Sequence, residues 1–355
     1  MLRRVLIVGK FFPPSDESMA LYMGDIADGL AAAGLEVCAV AEREPAPYTG
    51  PARLLAVPAP LRGRRNLWAR GIEGVAFAAA SAWHVWRHAR ADAAVLAVSM
   101  PPFSAFAVYP VARVRGATFV SLEYDIYPEI VHAVARIPRP LYAAWRVLRD
   151  ALRRRADAII VPSEGMARRV RETHGAAPVA VIPNWADGRI RPLPREEHPL
   201  AAELGVAPDD LVVLYSGTVG HAHIRPLTVL VDAAERMRDE RIRWVVIGGG
   251  GGLPAFERLL RERGLVHHVT LLPRQPAERV PFTLTLADIA VVAVDDRAAD
   301  LLAPSKLYGY QAAGVPVLVI CDRESDLDAE VVEPGAGWRV GADEADRLVT
   351  LLRSV

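Results

Sequence analysis

Short apolar runs alternate with longer segments of helical periodicity along most of the chain. Residues 5–9 form a run rich in β-branched side chains, the mark of a strand buried on both faces. A proline-containing loop over 10–18 leads into a helix predicted over 19–33 and closed by Gly34. Further strands are predicted at 36–41, 93–98, 118–122 and 158–161, with helices over 66–90, 103–114 and 139–155. Strands alternating with helices predict an α/β fold built on a parallel sheet. The texture changes at Pro183-Asn184-Trp185-Ala186-Asp187-Gly188, which is turn-rich, and 191–199 is rich in proline and charge. The alternation then restarts, with strands at 211–216, 244–248, 269–272, 289–294 and 317–320 and helices over 226–238, 253–264, 277–287 and 305–313. The pattern predicts two doubly wound, Rossmann-like domains, 1–187 and 200–355, joined by a linker over 188–199. In such sheets ligands bind outside the carboxyl ends of the strands, so a cleft between the domains is the expected site.

Composition narrows the classes. Of 355 residues, 52% are hydrophobic and 24% charged, a globular balance rather than a disordered one. The 42 basic residues equal the 42 acidic ones, which excludes a strongly basic nucleic-acid binder; no nucleic-acid partner is expected. The zero is a sum of unlike halves. Residues 1–185 hold 23 basic and 16 acidic residues, whereas 186–355 hold 19 and 26. The basic set comprises 40 arginines and two lysines, Lys10 and Lys306. Cys38 and Cys321 lie in apolar runs and read as buried free thiols, in keeping with a reducing cytoplasm. The opening residues read as the start of a strand rather than a signal peptide. No apolar run reaches the roughly 18 uncharged residues that a membrane span needs.

Three local segments carry candidate chemistry. Tyr215-Ser216-Gly217-Thr218-Val219-Gly220 closes the first strand of the second domain, where glycines let backbone N–H groups approach an anion. The five glycines over 248–252 lack the spacing of a nicotinamide fingerprint; they read either as a permissive loop near a ligand or as a plain turn. In Ala303-Pro304-Ser305-Lys306-Leu307-Tyr308-Gly309-Tyr310-Gln311-Ala312-Ala313-Gly314-Val315-Pro316-Val317, Ser305 is placed to cap a helix. Lys306 then sits in the first turn, against the helix dipole, an arrangement that makes sense if an anion occupies that end. A solvated lysine is the alternative.

This last segment resembles the Pro-Ser-Lys-Leu-x-x-Tyr-x-Ala-Ala-Gly-x-Pro-Val signature of GT-B glycosyltransferases of family 4, in the branch of capsule, O-antigen and colanic-acid sugar transferases. Further similarities follow in order: Phe11-Phe12-Pro13-Pro14, Asp125-Ile126-Tyr127-Pro128-Glu129, Val161-Pro162-Ser163-Glu164-Gly165-Met166, Ile182-Pro183-Asn184-Trp185-Ala186-Asp187, Ser216-Gly217-Thr218-Val219-Gly220, and Val269-Thr270-Leu271-Leu272-Pro273-Arg274 with Ala287-Asp288. The resemblance implies transfer of a sugar from a nucleotide-diphosphate sugar, a UDP-sugar first among them, to a hydroxyl, amino-sugar or lipid-linked acceptor. It implies retention of anomeric configuration, no metal and no cofactor beyond the donor. Positive side chains and helix ends would stabilise the leaving diphosphate. Lys306 and Arg225 are the candidates for that task, with His223 competing with Arg225. The remaining donor set is Gly217, Thr218, Gly220, His223, Gly249, Gly250, Arg274, Pro304, Ser305 and Leu307.

The departures from the family pattern are also informative. Many members carry two glutamates eight apart around this helix, the second contacting the donor ribose. The matching positions here are Leu301 and Gly309, so Asp295, Asp296 or Asp300 are left as substitutes. On the acceptor side, Asp125 and Glu129 are candidates to take the hydroxyl proton. Lys10, Asp16, Glu17 and His132 are candidate acceptor contacts, the acidic loop suiting a cationic sugar. The nine histidines show no metal spacing. Arg146, Arg149, Arg153, Arg154 and Arg155 share a helix with Trp145, Leu148 and Leu152. The apolar face is expected to pack on the sheet and the basic face to lie free, open to anionic lipid. Few residues follow 347–352, so the terminal helix that GT-B enzymes send back to the first domain is expected to be short or missing. Two rivals remain: a nucleotide-sugar epimerase, and a non-catalytic partner subunit, for which Leu301 and Gly309 speak.

Overall fold

In a computed structural model, described over residues 2–15, 17–59, 67–135, 137–173, 175 and 177–355, the chain forms two compact units. The first comprises Met1–Asn184 together with Leu301–Ala303, and the second Trp185–Asp300 and Pro304–Val355.

The first unit runs β1 (Arg4–Val8), α1 (Ser18–Ala32), β2 (Glu36–Glu42), β3 (Arg53–Val57), α2 (Leu67–His88), β4 (Ala93–Val98), α3 (Ser104–Val114), β5 (Thr118–Leu122), α4 (Glu129–Ala135), α5 (Arg139–Arg153), β6 (Ala158–Val161), α6 (Glu164–Arg171) and β7 (Val179–Val181). Its seven strands lie in the order β3-β2-β1-β4-β5-β6-β7, parallel in every pairing. All six residues of the central strand β4 are buried, which explains its unbroken apolar sequence. One face of the sheet presents Leu6, Val95, Phe119 and Ile159 to Phe77 of α2, Val108 of α3, Leu152 of α5 and Met166 of α6. The steps from β3 to β4, β4 to β5 and β5 to β6 all move the same way across the sheet, so right-handed crossovers put α2, α3 and α5 on that one face. The step from β1 to β2 moves the opposite way and sends α1 to the other.

Leu301–Ala303 completes this unit. Leu301 is buried in its core, Leu302 forms an antiparallel bridge with Asp125, and the Ile126 amide donates to the Leu301 carbonyl at 2.8 Å.

The second unit runs α7 (Pro199–Leu204), β8 (Leu211–Ser216), α8 (Ile224–Arg236), β9 (Ile242–Ile247), α9 (Leu253–Glu262), β10 (Val269–Leu272), α10 (Val280–Leu284), β11 (Ile289–Ala293), α11 (Lys306–Ala312), β12 (Val317–Ile320), β13 (Gly337–Val340) and α12 (Ala345–Leu352). Its six strands are parallel in the order β10-β9-β8-β11-β12-β13. Val213, Val246, Val291 and Leu318 of the sheet pack with Leu230 of α8, Phe256 of α9 and Leu348 of α12. The stretch over 188–199 packs on this unit: Ile190 is buried, Arg195 pairs with Asp288 at 2.5 Å, and His198 Nδ1 accepts from the Ala201 amide to cap α7.

The sequence reading lacks four short helices, α4, α6, α7 and α12, and three strands, all of them at sheet edges. β3, β7 and β13 each end a sheet, and β7 has three residues with none fully buried. A strand covered on one side needs no continuous apolar run, so its pattern is weak. The helix expected from 66 begins at Leu67 among the described residues, and 66 itself lies outside them.

α5 reverses the expectation. Arg149 and Arg153 face inward and are buried, whereas Leu148 is 58% exposed; Leu152 follows the expected packing, and Trp145 is half-buried against Phe103 and Tyr127. Arg153 forks onto the buried Glu123 and also donates to Thr173, and Arg149 pairs with Glu129 and Asp150. Acids placed on neighbouring elements turned the charged side of this helix towards the protein.

Candidate functional site

In the second unit the site is built at the carboxyl end of β8. Gly217 leaves the strand at φ 135°, a conformation that L side chains rarely adopt. Its amide donates to the Ile247 carbonyl, the Val219 amide to Gly249, and the Gly252 amide to Val219. The glycine run is thus stitched to the 217–220 loop. A Cβ at Gly248 would stand 1.9 Å from the Gly217 carbonyl oxygen, and one at Gly250 would stand 2.5 Å from that of Val219. Glycine is required here so that two backbones can touch. Packing of this kind accounts for Gly248 and Gly250, whereas a Cβ at Gly249 would meet nothing within 4 Å.

Lys306 is the first residue of α11. Its ammonium lies 3.9 Å from the Tyr215 ring centroid, and a Cβ on Gly217 would come within 2.9 Å of Nζ. Burial pulls the ammonium down to about 7. Among the described residues no carboxylate lies within ion-pair distance of it. Ser305 occupies the N-cap position but is itself helical, at φ −58°, and its hydroxyl makes no capping bond. The expected serine cap is therefore absent; the first turn is closed instead by the Leu307 amide donating to the Pro304 carbonyl at 3.1 Å. Leu307 is buried.

His223 stands close by. Its Nδ1 accepts from the Gly220 amide at 3.1 Å, which leaves the Nε2 proton as the outward donor. Burial, then the neighbouring Lys306 charge, lower the ring to about 4, so it is neutral at pH 7. Arg225 takes a different course: its guanidinium is half exposed and bound by Asp322 at 2.6 Å and Asp343 at 3.0 Å. Of the two candidates for the place after the glycine loop, His223 is the one brought to Lys306. Thr218 supplies a carbonyl that accepts from the Tyr215 hydroxyl, and the Tyr310 hydroxyl accepts from the Ser216 amide. Those two tyrosines hold the loop and were overlooked in the sequence because each reads as ordinary core. Arg274 lies exposed on the loop after β10.

The substitutes proposed for the missing acids are already engaged. Asp295 pairs with Arg297, Asp296 accepts from Cys321 and the Asp322 amide, and Asp300 pairs with Arg323. A Cβ at Gly309 would meet Leu284 at 2.6 Å, so the volume that an acidic side chain would need there is filled.

In the first unit Asp125 follows β5. Its amide and that of Tyr124 donate to Ser99 Oγ, at 3.4 and 3.1 Å. Burial pushes the Asp125 carboxyl up to about 6, against a lowering hydrogen bond from Tyr127. Glu129 is held by Arg149 at 2.5 Å and Arg146 at 3.5 Å, a bracing arrangement. Lys10 pairs with the buried Glu42 at 3.0 Å. His132 stacks on Tyr142 at 4.5 Å, and its buried Nδ1 has no hydrogen-bond partner among the described residues. Glu17 is exposed at the N-cap position of α1, and Asp16 lies outside the described residues.

Two parallel sheets in tandem, each with polar side chains gathered beyond the carboxyl ends of its strands, define a GT-B architecture. The chain belongs to the GT-B glycosyltransferases of family 4: residues 18–185 match the glycosyl transferase 4-like domain and residues 199–355 match glycosyl transferases group 1. A putative colanic acid biosynthesis glycosyl transferase, WcaI of Escherichia coli K12, is 27% identical over 197 residues, which cover 53% of this chain and 46% of that protein. The match thus spans about half the length of that relative. Among solved structures, sucrose-phosphate synthase of Thermosynechococcus elongatus superposes with a TM-score of 0.77 at 17% identity, over 100% of this chain and 89% of the other. Anabaena HepE in complex with UDP-glucose superposes with a TM-score of 0.73 at 14% identity, over 99% and 89%.

Proposed function

We propose that this protein transfers a sugar from a nucleoside diphosphate sugar to a hydroxyl on a sugar or lipid-linked acceptor, with retention and without a metal. One observation carries the reading. Lys306 is an ammonium held in a partly buried place, weakened to about 7 by lost hydration, with no carboxylate among the described residues to balance it. An anion would restore its charge. The diphosphate is the group of the donor with that chemistry, and the donor in the HepE complex is UDP-glucose.

In this reading the bond between the anomeric carbon and the diphosphate oxygen breaks as the bond to the acceptor oxygen forms on the same face. Lys306 and the Nε2–H of His223 stabilise charge growing on the departing diphosphate. Asp125, with its carboxyl near 6, is the group suited to receive the acceptor proton at neutral pH. The test is a panel of UDP-, GDP-, ADP- and dTDP-sugars followed by calorimetry and by release of the nucleoside diphosphate. Binding and turnover of one donor, unaffected by chelator and giving product of unchanged anomeric configuration, is the expected result. Absence of nucleotide binding across the panel would sink it.

A second reading rests on Gly309. Because Leu284 fills the place of a ribose-contacting acid, the chain would serve as a non-catalytic partner subunit. It predicts nucleotide binding without any turnover.

A further inference from the structure

We propose that Tyr127 is a positioning residue for Asp125, its hydroxyl holding the carboxylate while α5 holds Tyr127 by backbone and ring. The Asp125 main chain is anchored without it: Ser99 Oγ accepts from its amide at 3.4 Å, and Leu302 bridges to it. The carboxyl is another matter, since the Tyr127 hydroxyl donates to it from two residues on. Burial and the neighbouring carboxylate push that phenol well above its ordinary range, so the donor keeps its proton where the acid ionises.

α5 makes the donor rigid. The Tyr127 ring stacks on Trp145 with centroids 5.9 Å apart and planes 9° from parallel, and Phe103 packs on Trp145 at 4.6 Å. Four residues on, and so on the same side of the helix, Arg149 donates through Nη1 to the Tyr127 carbonyl at 2.7 Å and to Glu129 at 2.5 Å. Its Nε donates to Asp150 at 2.8 Å, which fixes the guanidinium from a second direction. One turn of α5 thus holds both the ring and the carbonyl of a single tyrosine.

A brace for the fold alone would not need the phenol oxygen. Burial raises the Asp125 carboxyl, the bond from Tyr127 pulls it back, and the balance stands at about 6, suited to taking a proton near neutrality. The other titratable groups around it are paired or neutral. Glu123 is bound by Arg153, Glu129 by Arg149 and Arg146, Tyr124 stacks on Tyr22, and Leu301–Ala303 brings no charge. Tyr127 is therefore the side chain that sets where Asp125 ionises. Its part in turnover rests on the sugar-transfer reading; the tie between the two side chains does not.

Carbon-13 NMR on the full chain, labelled at its aspartate carboxyls, decides it, with the Asp125 signal identified by its loss in Asp125→Asn. The parent signal should titrate at about 6. Tyr127→Phe keeps the ring and its stack, and its midpoint should lie at about ten-fold lower proton concentration. Arg149→Lys should move it the same way, because an ammonium cannot reproduce the Nη1 and Nε contacts together. With the donor that is turned over, Tyr127→Phe should lose about three-fold in kcat at pH 6.5 and almost nothing at pH 8.5, with KM for the acceptor unchanged. The proposal is overturned if Asp125 titrates alike in the parent and in Tyr127→Phe, if Arg149→Lys leaves it unmoved, or if the loss of kcat is equal at both pH values. A parent that turns over no donor sinks the sugar-transfer reading, and the titration still decides the tie.

Discussion

Asp125 in the first unit and Lys306 in the second meet the same physical problem with opposite signs. Burial disfavours the charged form of each, pushing the carboxyl up to about 6 and the ammonium down to about 7. Their surroundings differ. Asp125 sits in a finished network: Ser99 holds its amide, Tyr127 bonds its carboxyl, and Leu302 bridges its backbone. Lys306 has a tyrosine ring beneath it, a neutral histidine beside it and a glycine trimmed to make room for it. A polar group whose partners are supplied is ready to work as it stands, whereas one that lacks its counter-charge waits for a ligand.

The comparison breaks first at the backbone. Gly248→Ala should cost about 3–5 kcal/mol, because a Cβ 1.9 Å from a carbonyl oxygen forces the two glycine loops apart. Urea unfolding checks this, and an unchanged midpoint would mean the loops are not locked together. Lys306→Met should lower nucleoside diphosphate affinity by about 30-fold or more at pH 6.5. The proton balance sharpens the point. The folded chain holds Lys306 protonated only below about 7, whereas the unfolded chain holds it up to its ordinary value near 10.5. Lys306 therefore makes stability rise with pH between those values, and below about 7 its full cost is present. That slope should vanish in Lys306→Met. Binding of a diphosphate to the parent at pH 8.5 should take up a proton, read from calorimetry in two buffers.

Asp125→Asn should reduce turnover by about 100-fold. It should also raise the melting temperature at pH 7, since a carboxyl with a raised folded-state value destabilises the fold once ionised. Turnover that survives the change would remove Asp125 from the reaction. Arg225→Ala should do least. It gives up ion pairs at a half-exposed site, worth under about 1 kcal/mol. Nucleotide affinity should change less than about two-fold, and a large loss would restore Arg225 as a phosphate contact in place of His223.

The sequence announced what depends on repetition and composition. Buried central strands such as Ala93–Val98 are continuous apolar runs, and a lysine in a chain of arginines stands out. It was silent about what depends on distant partners. Nothing within 139–155 says that Glu123 and Glu129 wait on neighbouring elements to draw in Arg153 and Arg149, so the helix read the wrong way round. Nor do five glycines in a row announce that Gly248 and Gly250 lie hard against the carbonyls of a second loop. Gly309 looked like a lost acid, and the structure adds that Leu284 has taken up the room.

The three residues Leu301–Ala303 bear on how the molecule can be taken apart. They follow more than a hundred residues of the second unit, yet Leu301 fills the core of the first and Leu302 pairs beside Asp125. A fragment ending at Asn184 would carry a vacant apolar notch and an unanswered Ile126 amide next to its most informative carboxylate. Expressing the halves separately is therefore not a neutral dissection. Any activity or binding lost by the isolated first half must be read against the missing tripeptide, and supplying Leu301–Ala303 as a tethered extension is the control such an experiment requires.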